Sequence, residues 1–319
     1  MIIPEPAVQP TMYFIGVTTG QSSIMKVFPL WSQLLGIDAI MRGIDISIHA
    51  PATDYQAAVD FIKADPLSKG ALVTTHKMDL LAATRDRFSY VDPYGELLHE
   101  ISSISKDEQD PSLLRGHAKD PITSGKALEA FLPANYWVNN PEAEALIFGA
   151  GGSSLALSLY LTDPAHGANR PKKITVTNRS LPRLEHAKGI HESLNHGVAM
   201  DFKFCPEFTD NDAALAPIPA GSVIANATGL GKDRPGSPIT EAAVFPENAF
   251  AWEFNYRGDL TFWRQAQNQK VQKNLNVQDG WVYFIHGWSQ VIAEVFHLTL
   301  TDEIINQLSD AASAIRPTR

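Results

Sequence analysis

A glycine-rich turn near the middle of the chain is the feature that most directly indicates a bound ligand. It follows the apolar run Ala145–Phe148 and consists of Gly149, Ala150, Gly151, Gly152 and Ser153. Beyond it the chain becomes apolar again, as a buried helix would. A strand, a glycine turn and a helix in this order hold a pyrophosphate in dinucleotide folds, because glycine allows the tight turn and the close approach of backbone to phosphate. We therefore predict that these five residues bind a dinucleotide; an ordinary strand-to-helix turn is the plainer alternative.

The end of the next predicted strand, residues 174–178, bears on which dinucleotide is bound. An acidic residue there would accept a hydrogen bond from the ribose 2′-hydroxyl of NAD, but this chain has Asn178, Arg179 and Ser180, with Arg183 one helical turn later. Two guanidinium groups four residues apart suit a 2′-phosphate. The sequence therefore predicts NADP, held in part by these four residues; a solvated helix start is the alternative.

Composition limits the class of protein. With 319 residues, 44% hydrophobic and 19% charged, the chain is typical of a soluble globular protein of two domains. A net charge of −9 without a Lys/Arg-rich block argues against a nucleic-acid partner. The single cysteine, Cys205, excludes an internal disulfide and a cysteine metal cluster, and the histidines lack metal-ligand spacing, so we expect no metal. The sequence shows no signal-like start and no apolar stretch of about 18 residues, so we expect a cytoplasmic protein off the membrane.

Hydrophobic periodicity predicts alternating strands and helices along most of the chain. In the first part, the predicted strands are 12–17, 44–49, 70–75, 101–105 and 113–116, and the predicted helices are 25–35 and 55–64. In the second part, the predicted helix 123–131 precedes strands 145–148, 174–178, 201–205, 222–228, 249–254 and 281–285 and a helix 288–300 that continues, after a break, toward 311.

This order predicts an α/β protein with two domains. We expect residues 1–122, completed by 286–319, to form an N-terminal α/β substrate-binding and catalytic domain. Residues 123–285 should form a doubly wound Rossmann domain that binds NADP.

Four segments in order resemble the shikimate/quinate dehydrogenase family, and the resemblance covers nearly the whole chain. Residues 149–154 match the family's glycine loop, and Asn178–Arg183 resembles the Asn-Arg-Thr-x-x-Arg element of its NADP-using members. Asn226–Gly231 resembles its Asn-Ala-Thr-x-x-Gly turn, and Asp279 with Gly280 resembles the Asp-Gly that returns the chain to the first domain.

The resemblance implies an NADP-dependent dehydrogenase of the shikimate pathway, which serves aromatic amino acid biosynthesis. It also extends the expected cofactor site. The added residues are Asn226, Ala227, Thr228 and Gly280.

A catalytic pair is implied by the same resemblance. The family's lysine closes a segment that corresponds to Ala71–Lys77, and its aspartate closes one that corresponds to Gly116–Asp120. When a hydride leaves a secondary alcohol, the hydroxyl proton must leave as well. A lysine whose charge is tuned by a nearby carboxylate can polarise the oxygen and relay that proton. Lys77 and Asp120 are therefore the predicted catalytic residues.

The family's substrate-binding residues are largely absent. Lys26 and Phe28 stand where it has two serines that hold a carboxylate, Ala71 and Val73 where it has Asn and Thr, and Ala118 and Lys119 where it has Asn and Thr before the aspartate. Replacing side chains that hydrogen-bond to substrate hydroxyls removes the affinity for shikimate. It also removes the cost of leaving those side chains unpaired when a substrate without the hydroxyls binds. We expect an acidic substrate with fewer ring hydroxyls than shikimate.

The predicted substrate-binding residues are Ser22, Ser23, Lys26, Phe28, Val73, Tyr256 and Gln290. The two serines could replace lost contacts, and Tyr256 falls in a segment that resembles the family's Asp-x-x-Tyr element. For the helix glutamine the register stays open, because an ungapped count from Asp279 puts Gly287, and not Gln290, at the family's position.

The predicted activity is hydride transfer between NADP(H) and the secondary alcohol or ketone of a cyclic hydroxy acid. Two alternatives remain: an enzyme similar to methylene-tetrahydrofolate dehydrogenase, or an NADP-binding sensor without turnover. Lys77, Asp120 and the turn at Asn226 favour the dehydrogenase. A small molecule is the expected partner, and the sequence allows a homodimer.

Overall fold

The computed structural model describes residues 3–232 and 234–316. Its strands are β1 (Thr11–Gly16), β2 (Ile40–Asp45), β3 (Ser68–Val73), β4 (Phe88–Val91), β5 (Ser103–Lys106), β6 (Leu114–His117), β7 (Ala145–Phe148), β8 (Lys173–Asn178), β9 (Ala199–Phe204), β10 (Val223–Asn226), β11 (Phe250–Glu253) and β12 (Asn276–Gln278). Its helices are α1 (Ile24–Leu34), α2 (Ala52–Ala64), α3 (Lys77–Thr84), α4 (Pro93–Leu98), α5 (Asp120–Glu129), α6 (Tyr136–Asn139), α7 (Gly152–Thr162), α8 (Leu181–Ser193), α9 (Phe208–Leu215), α10 (Thr261–Lys273), α11 (Trp281–Phe296) and α12 (Asp302–Ser313).

The described chain forms two compact units. One comprises the residues up to Lys119 together with Ile285–Arg316, and the other comprises Asp120–Phe284. Residues 317–319, which were predicted to belong to the first domain, lie outside the described residues. The α/β class and the two-domain organisation predicted from the sequence are confirmed.

A mixed sheet forms the centre of the first unit, in the order β2-β1-β3-β5-β6-β4. Strands β1, β2 and β3 are parallel, whereas β5 runs antiparallel to β3 and β6. The apolar runs of β1 and β3 are buried, and helices α2 and α3 cover them with Tyr55, Val59, Ile62 and Leu80. Sequence alternation misplaced one strand of this sheet.

The predicted strand 44–49 was wrong, because β2 spans Ile40–Asp45. Its bounds follow from pairing with β1, where Thr11 lies beside Ile40 and Gly16 beside Asp45. The strand lies at the sheet edge and is half-exposed along most of its length, so its first residues carry no apolar pattern.

The C-terminal helices belong to the first unit from Ile285 onward. The indole Nε1 of Trp31 donates to the backbone oxygen of Leu308 at 2.8 Å, and the rings of Phe14 and Trp288 meet edge to face at 5.0 Å. Helix α1 is thereby packed against α12. The predicted break between two C-terminal helices is confirmed, since α11 ends at Phe296 and α12 begins at Asp302.

The predicted strand 281–285 was wrong, because these residues form the first turns of α11. A short run of aromatic and β-branched residues cannot be assigned to strand or helix from its periodicity alone. The turn at Asp279 decides the outcome, since its Oδ1 accepts from the backbone N–H of Trp281 at 3.1 Å.

The second unit contains a parallel sheet in the order β12-β11-β10-β7-β8-β9. Strand β7 lies in the middle with all four residues buried, as expected for a strand covered on both faces. All the carboxyl ends therefore lie along one edge of this sheet. No helix within the described residues is both long and apolar enough to cross a membrane.

Candidate functional site

A cavity of about 410 Å³ opens at the carboxyl edge of the parallel sheet in the second unit. Its lining includes Gly149, Ala150, Gly151, Gly152, Ser153, Asn178, Arg179, Arg183, Ala227 and Thr228, all of which the sequence predicted to bind the cofactor. Of the cofactor residues predicted from sequence, Ser180, Asn226 and Gly280 do not line it. No acidic side chain is found among the described residues that form its wall. The cavity is therefore suited to an anion.

The glycine turn approaches the neighbouring strand closely. Gly149 has a φ of 105°, and a Cβ built on it would lie 2.8 Å from the backbone oxygen of Ala227. By contrast, a Cβ on Gly151 or Gly152 would meet nothing within 4 Å. Helix α7 begins at Gly152 with Gly151 as its N-cap residue, so its free backbone N–H groups lie at the cavity wall. The first glycine is thus required by the fold, and the other two leave room for a ligand.

Two arginines that follow β8 add positive charge to the cavity wall. Arg179 and Arg183 line the cavity, and both are exposed. Neither guanidinium group forms a hydrogen bond or ion pair with another described residue. Nearby, Asn178 Oδ1 accepts from the backbone N–H of Ser180 at 3.3 Å, and Ser180 is the N-cap residue of α8. The two guanidinium groups are therefore available for a phosphate.

A buried hydrogen-bond network supports the turn after β10. Asn226 Nδ2 donates to Glu253 Oε2 at 2.6 Å, while its Oδ1 accepts from the Thr228 hydroxyl at 2.7 Å. Glu253 Oε1 accepts from the backbone N–H of Asn255 at 2.9 Å and from its side chain at 2.6 Å. Burial raises the pKa of Glu253 to about 8, against the lowering effect of these hydrogen bonds. Asn226 therefore holds the turn, and Ala227 and Thr228 present its surface to the cavity.

Gly280 has a structural role, because it packs closely against the backbone at the end of β11. Its N–H donates to the backbone oxygen of Asn255 at 3.0 Å, and a Cβ on it would lie 1.9 Å from the backbone oxygen of Phe254. Glycine is therefore required where α11 begins beside the end of β11.

Sequence reasoning missed several further residues of the cavity wall, among them Cys205, Pro206, Phe208, Lys232 and Arg234. The first three follow β9 at the same sheet edge, so a topological argument could have found them. Cys205 is buried, and burial raises the pKa of its thiol. Lys232 and Arg234 lie in an irregular loop after β10 that carries no periodic signal.

The predicted catalytic residues follow two strands of the first unit's sheet. Lys77 is half-buried at the start of α3, after β3, and its backbone oxygen accepts from Ile101 N at 3.3 Å. Asp120, also half-buried, starts α5 immediately after Lys119. The backbone N–H of Lys119 donates to Ser102 Oγ at 2.8 Å. The segments that carry the two residues are thus tied to adjacent residues, Ile101 and Ser102.

A charged cluster that was not predicted lies beside these segments. Glu294 of α11 forms an ion pair with Lys119 and lies 3.3 Å from His117 Nε2. Burial lowers the pKa of His117 to about 4, despite the nearby carboxylate. For Glu294, the effect of burial is outweighed by the hydrogen bond from Lys119 and its positive charge, so the pKa of Glu294 is lowered. Lys119, which stands where the resembled family has a threonine, thus forms an ion pair with a carboxylate.

The predicted substrate residues fall into three environments. Ser22 and Ser23 are half-buried where α1 begins, and Lys26 on its first turn is exposed. Phe28 and Val73 are core residues, the first packed 6.5 Å from the ring of Phe296.

Tyr256 and Gln290 are the remaining two predicted substrate residues, and both are half-buried. Tyr256 packs its ring against Trp281 and Phe284 and is not among the residues lining the cavity. Gln290 lies in α11 one turn before Glu294. Within the described part of the chain, no group of three or more potential ligands is arranged to hold a metal ion.

Solved structures with a similar fold are numerous. A shikimate dehydrogenase in complex with NADP+ has a TM-score of 0.72 at 17% identity, covering 99% of this chain and 100% of that one. The chain has the shikimate dehydrogenase fold. Quinate dehydrogenase from Corynebacterium glutamicum in complex with NAD has a TM-score of 0.71 at 15% identity, covering 96% and 99%. The ligand-free 5-ketofructose reductase of Gluconobacter sp. strain CHM43 has a TM-score of 0.67 at 15% identity, covering 95% and 98%. No protein-family model and no curated protein sequence matches this chain.

Proposed function

We propose that the protein is an NADP-dependent oxidoreductase that transfers a hydride between NADP(H) and the secondary alcohol or ketone of a cyclic hydroxy acid. The observation that carries this proposal is the cavity of the parallel sheet, with its glycine turn, its two exposed arginines and no acidic wall residue among those described. The fold is shared with dehydrogenases that were solved with NADP+ or NAD. We assign the cofactor to the unit Asp120–Phe284 and the substrate to the unit that contains Lys77.

The residues at the cavity fit this cofactor. The backbone N–H groups at the start of α7 would bind the pyrophosphate, and Arg179 and Arg183 would bind the 2′-phosphate. When bound, NADP+ accepts the hydride that leaves the alcohol carbon. The network of Asn226, Glu253 and Asn255 would keep the turn at Thr228 in place against the ligand.

Proton transfer is assigned to Lys77 and Asp120, which the family resemblance pairs. As the C–H bond breaks, Lys77 would polarise the alcohol oxygen and relay the hydroxyl proton, and the Asp120 carboxylate would tune the lysine's charge. Within the first unit, Lys77 and Lys119, the residue directly before Asp120, are hydrogen-bonded to the adjacent residues Ile101 and Ser102.

The substrate is proposed to be acidic and to carry fewer ring hydroxyls than shikimate. Lys26 is exposed on the first turn of α1, where its ammonium could attract an anionic group. Lys119, which stands where the resembled family has an uncharged hydroxyl-binding group, is half-buried and forms an ion pair with Glu294. Quinate dehydrogenase and 5-ketofructose reductase share the fold, so the fold itself is compatible with more than one substrate.

The test has two stages. Binding of NADP+ and NAD+ is first measured by isothermal titration, and cyclic hydroxy acids and polyols are then screened with NADP+ by following nicotinamide absorbance. We expect NADP+ binding and turnover of a hydroxy acid. Lys77→Ala should abolish turnover without changing NADP+ affinity, whereas Lys26→Ala should mainly raise KM.

Three results would contradict the proposal. Absence of dinucleotide binding would refute the cofactor site. NADP+ binding without turnover of any hydroxy acid would favour the sensor, and efficient turnover of shikimate would refute the substrate assignment.

A further inference from the structure

The loop after β10 adds two basic side chains to the cavity, Lys232 and Arg234. With Arg179 and Arg183, four cationic side chains line a single cavity in a chain whose net charge is −9. NADP carries negative charge at two places, its 2′-phosphate and its pyrophosphate. Arg179 and Arg183 are assigned to the 2′-phosphate. Lys232 and Arg234 therefore remain as candidates for the pyrophosphate.

Backbone contacts tie Arg234 to the turn after β10. Its backbone oxygen accepts from Gly231 N at 2.7 Å, and its backbone forms a β-bridge with Leu230. The oxygen of Leu230 in turn accepts from the Asn255 side chain at 3.0 Å, within the network at the ends of β10 and β11.

The same loop touches Gly149 at its beginning. Ala227 N donates to the oxygen of Phe148 at 2.9 Å, and the oxygen of Ala227 limits the space at Gly149. Arg234 thus belongs to a segment anchored beside the pyrophosphate-binding turn, whereas Arg179 and Arg183 follow a different strand.

We propose that Arg234 binds the pyrophosphate of the dinucleotide, an inference that rests on the proposed function. Its side chain is exposed at the cavity and makes no hydrogen bond or ion pair with a residue the structure describes. The N–H groups of the glycine turn are uncharged, so they would bind the pyrophosphate without neutralising it. The guanidinium of Arg234 would supply the neutralising positive charge. Arg234 therefore contributes to affinity for NADP+ and NAD+ alike and not to the choice between them.

The experiment compares Arg234→Gln (R234Q) with Arg179→Gln (R179Q), and uses Arg264→Gln (R264Q) as the matched control. Arg264 is exposed on α10 and does not line the cavity, so R264Q reports the effect of lost net charge alone. Titration calorimetry is run with NADP+, NAD+, ADP and 2′-AMP, because ADP carries the pyrophosphate without the 2′-phosphate and 2′-AMP the reverse. The thermal midpoint of each variant checks that it is folded.

We expect R234Q to weaken NADP+, NAD+ and ADP by a similar factor of about tenfold or more, with 2′-AMP unchanged. R179Q should weaken NADP+ and 2′-AMP and leave ADP unchanged, and R264Q should match the unmodified protein. The inference is overturned if R234Q binds NADP+ and ADP normally, or if it loses only the ligands that carry a 2′-phosphate. If the unmodified protein binds none of the four, the proposed function itself fails, and the inference falls with it.

Discussion

Two glycines of the same turn should respond in opposite ways to the addition of one methyl group. At Gly149, alanine would have to adopt a φ of 105° and would place its Cβ 2.8 Å from the oxygen of Ala227. Such a backbone conformation costs a non-glycine residue about 1–3 kcal/mol, before the overlap is counted. We therefore expect Gly149→Ala to lower the free energy of unfolding by about 2 kcal/mol or more.

At Gly152 the added methyl meets nothing within 4 Å, and the residue is exposed on the first turn of α7. Alanine favours helix over glycine by up to about 1 kcal/mol, so Gly152→Ala should leave stability unchanged or slightly raised. Its methyl would nevertheless enter the space reserved for the pyrophosphate. We expect NADP+ affinity to fall about tenfold, which corresponds to about 1.4 kcal/mol.

The two variants are compared by thermal and urea unfolding without ligand and by titration with NADP+. A loss of about 2 kcal/mol should lower the midpoint of unfolding by roughly 4–8 °C in a unit of this size. The reasoning fails if G149A is as stable as the unmodified protein. It also fails if G152A destabilises the fold or binds NADP+ normally.

Three further predictions concern charged side chains. NADP+ should bind at least about tenfold more tightly than NAD+, and Arg179→Asp should remove this preference; equal affinities in the unmodified protein would contradict the assignment. Because the pKa of Glu253 is raised from 4.5 to about 8, the native state binds an additional proton between these values. Stability should therefore fall by up to about 1.4 kcal/mol per pH unit as pH rises through that window, and Glu253→Gln should lose this slope in urea unfolding. Glu294→Gln should cost about 2 kcal/mol because it leaves Lys119 unpaired with only 15% of its side chain exposed. Glu142→Gln, which breaks an ion pair with side chains 52% and 74% exposed, should cost less than about 0.5 kcal/mol.

Local sequence was sufficient to predict the bounds of a strand that is buried on both faces. Strand β7 was predicted to the residue, because a parallel central strand forms a continuous apolar run. The glycine turn was equally clear, since only glycine readily adopts the φ of Gly149. Periodicity failed at β2, whose bounds depend on pairing with β1, and at Trp281, where a short aromatic run starts a helix.

The chemical character of the candidate site was only partly visible in the sequence. Arg179 and Arg183 could be predicted because the first directly follows a recognisable strand and the second lies in the first turn of the helix after it. The ion pair of Lys119 and Glu294 joins residues 175 positions apart, and no local pattern indicates that a departure from the family motif is matched by a carboxylate on another helix.

Sequence alone thus determined the glycine turn, the basic end of β8 and the two-domain α/β organisation, because each depends on backbone preference or on hydrophobic periodicity over a few residues. Only the tertiary structure decided that Glu253 is buried under three hydrogen-bond donors, that Glu294 pairs with Lys119, and that Arg234 reaches the cavity. These features depend on which strand ends, loops and helices the fold brings together. That arrangement is set by packing of the whole chain and not by the residues on either side.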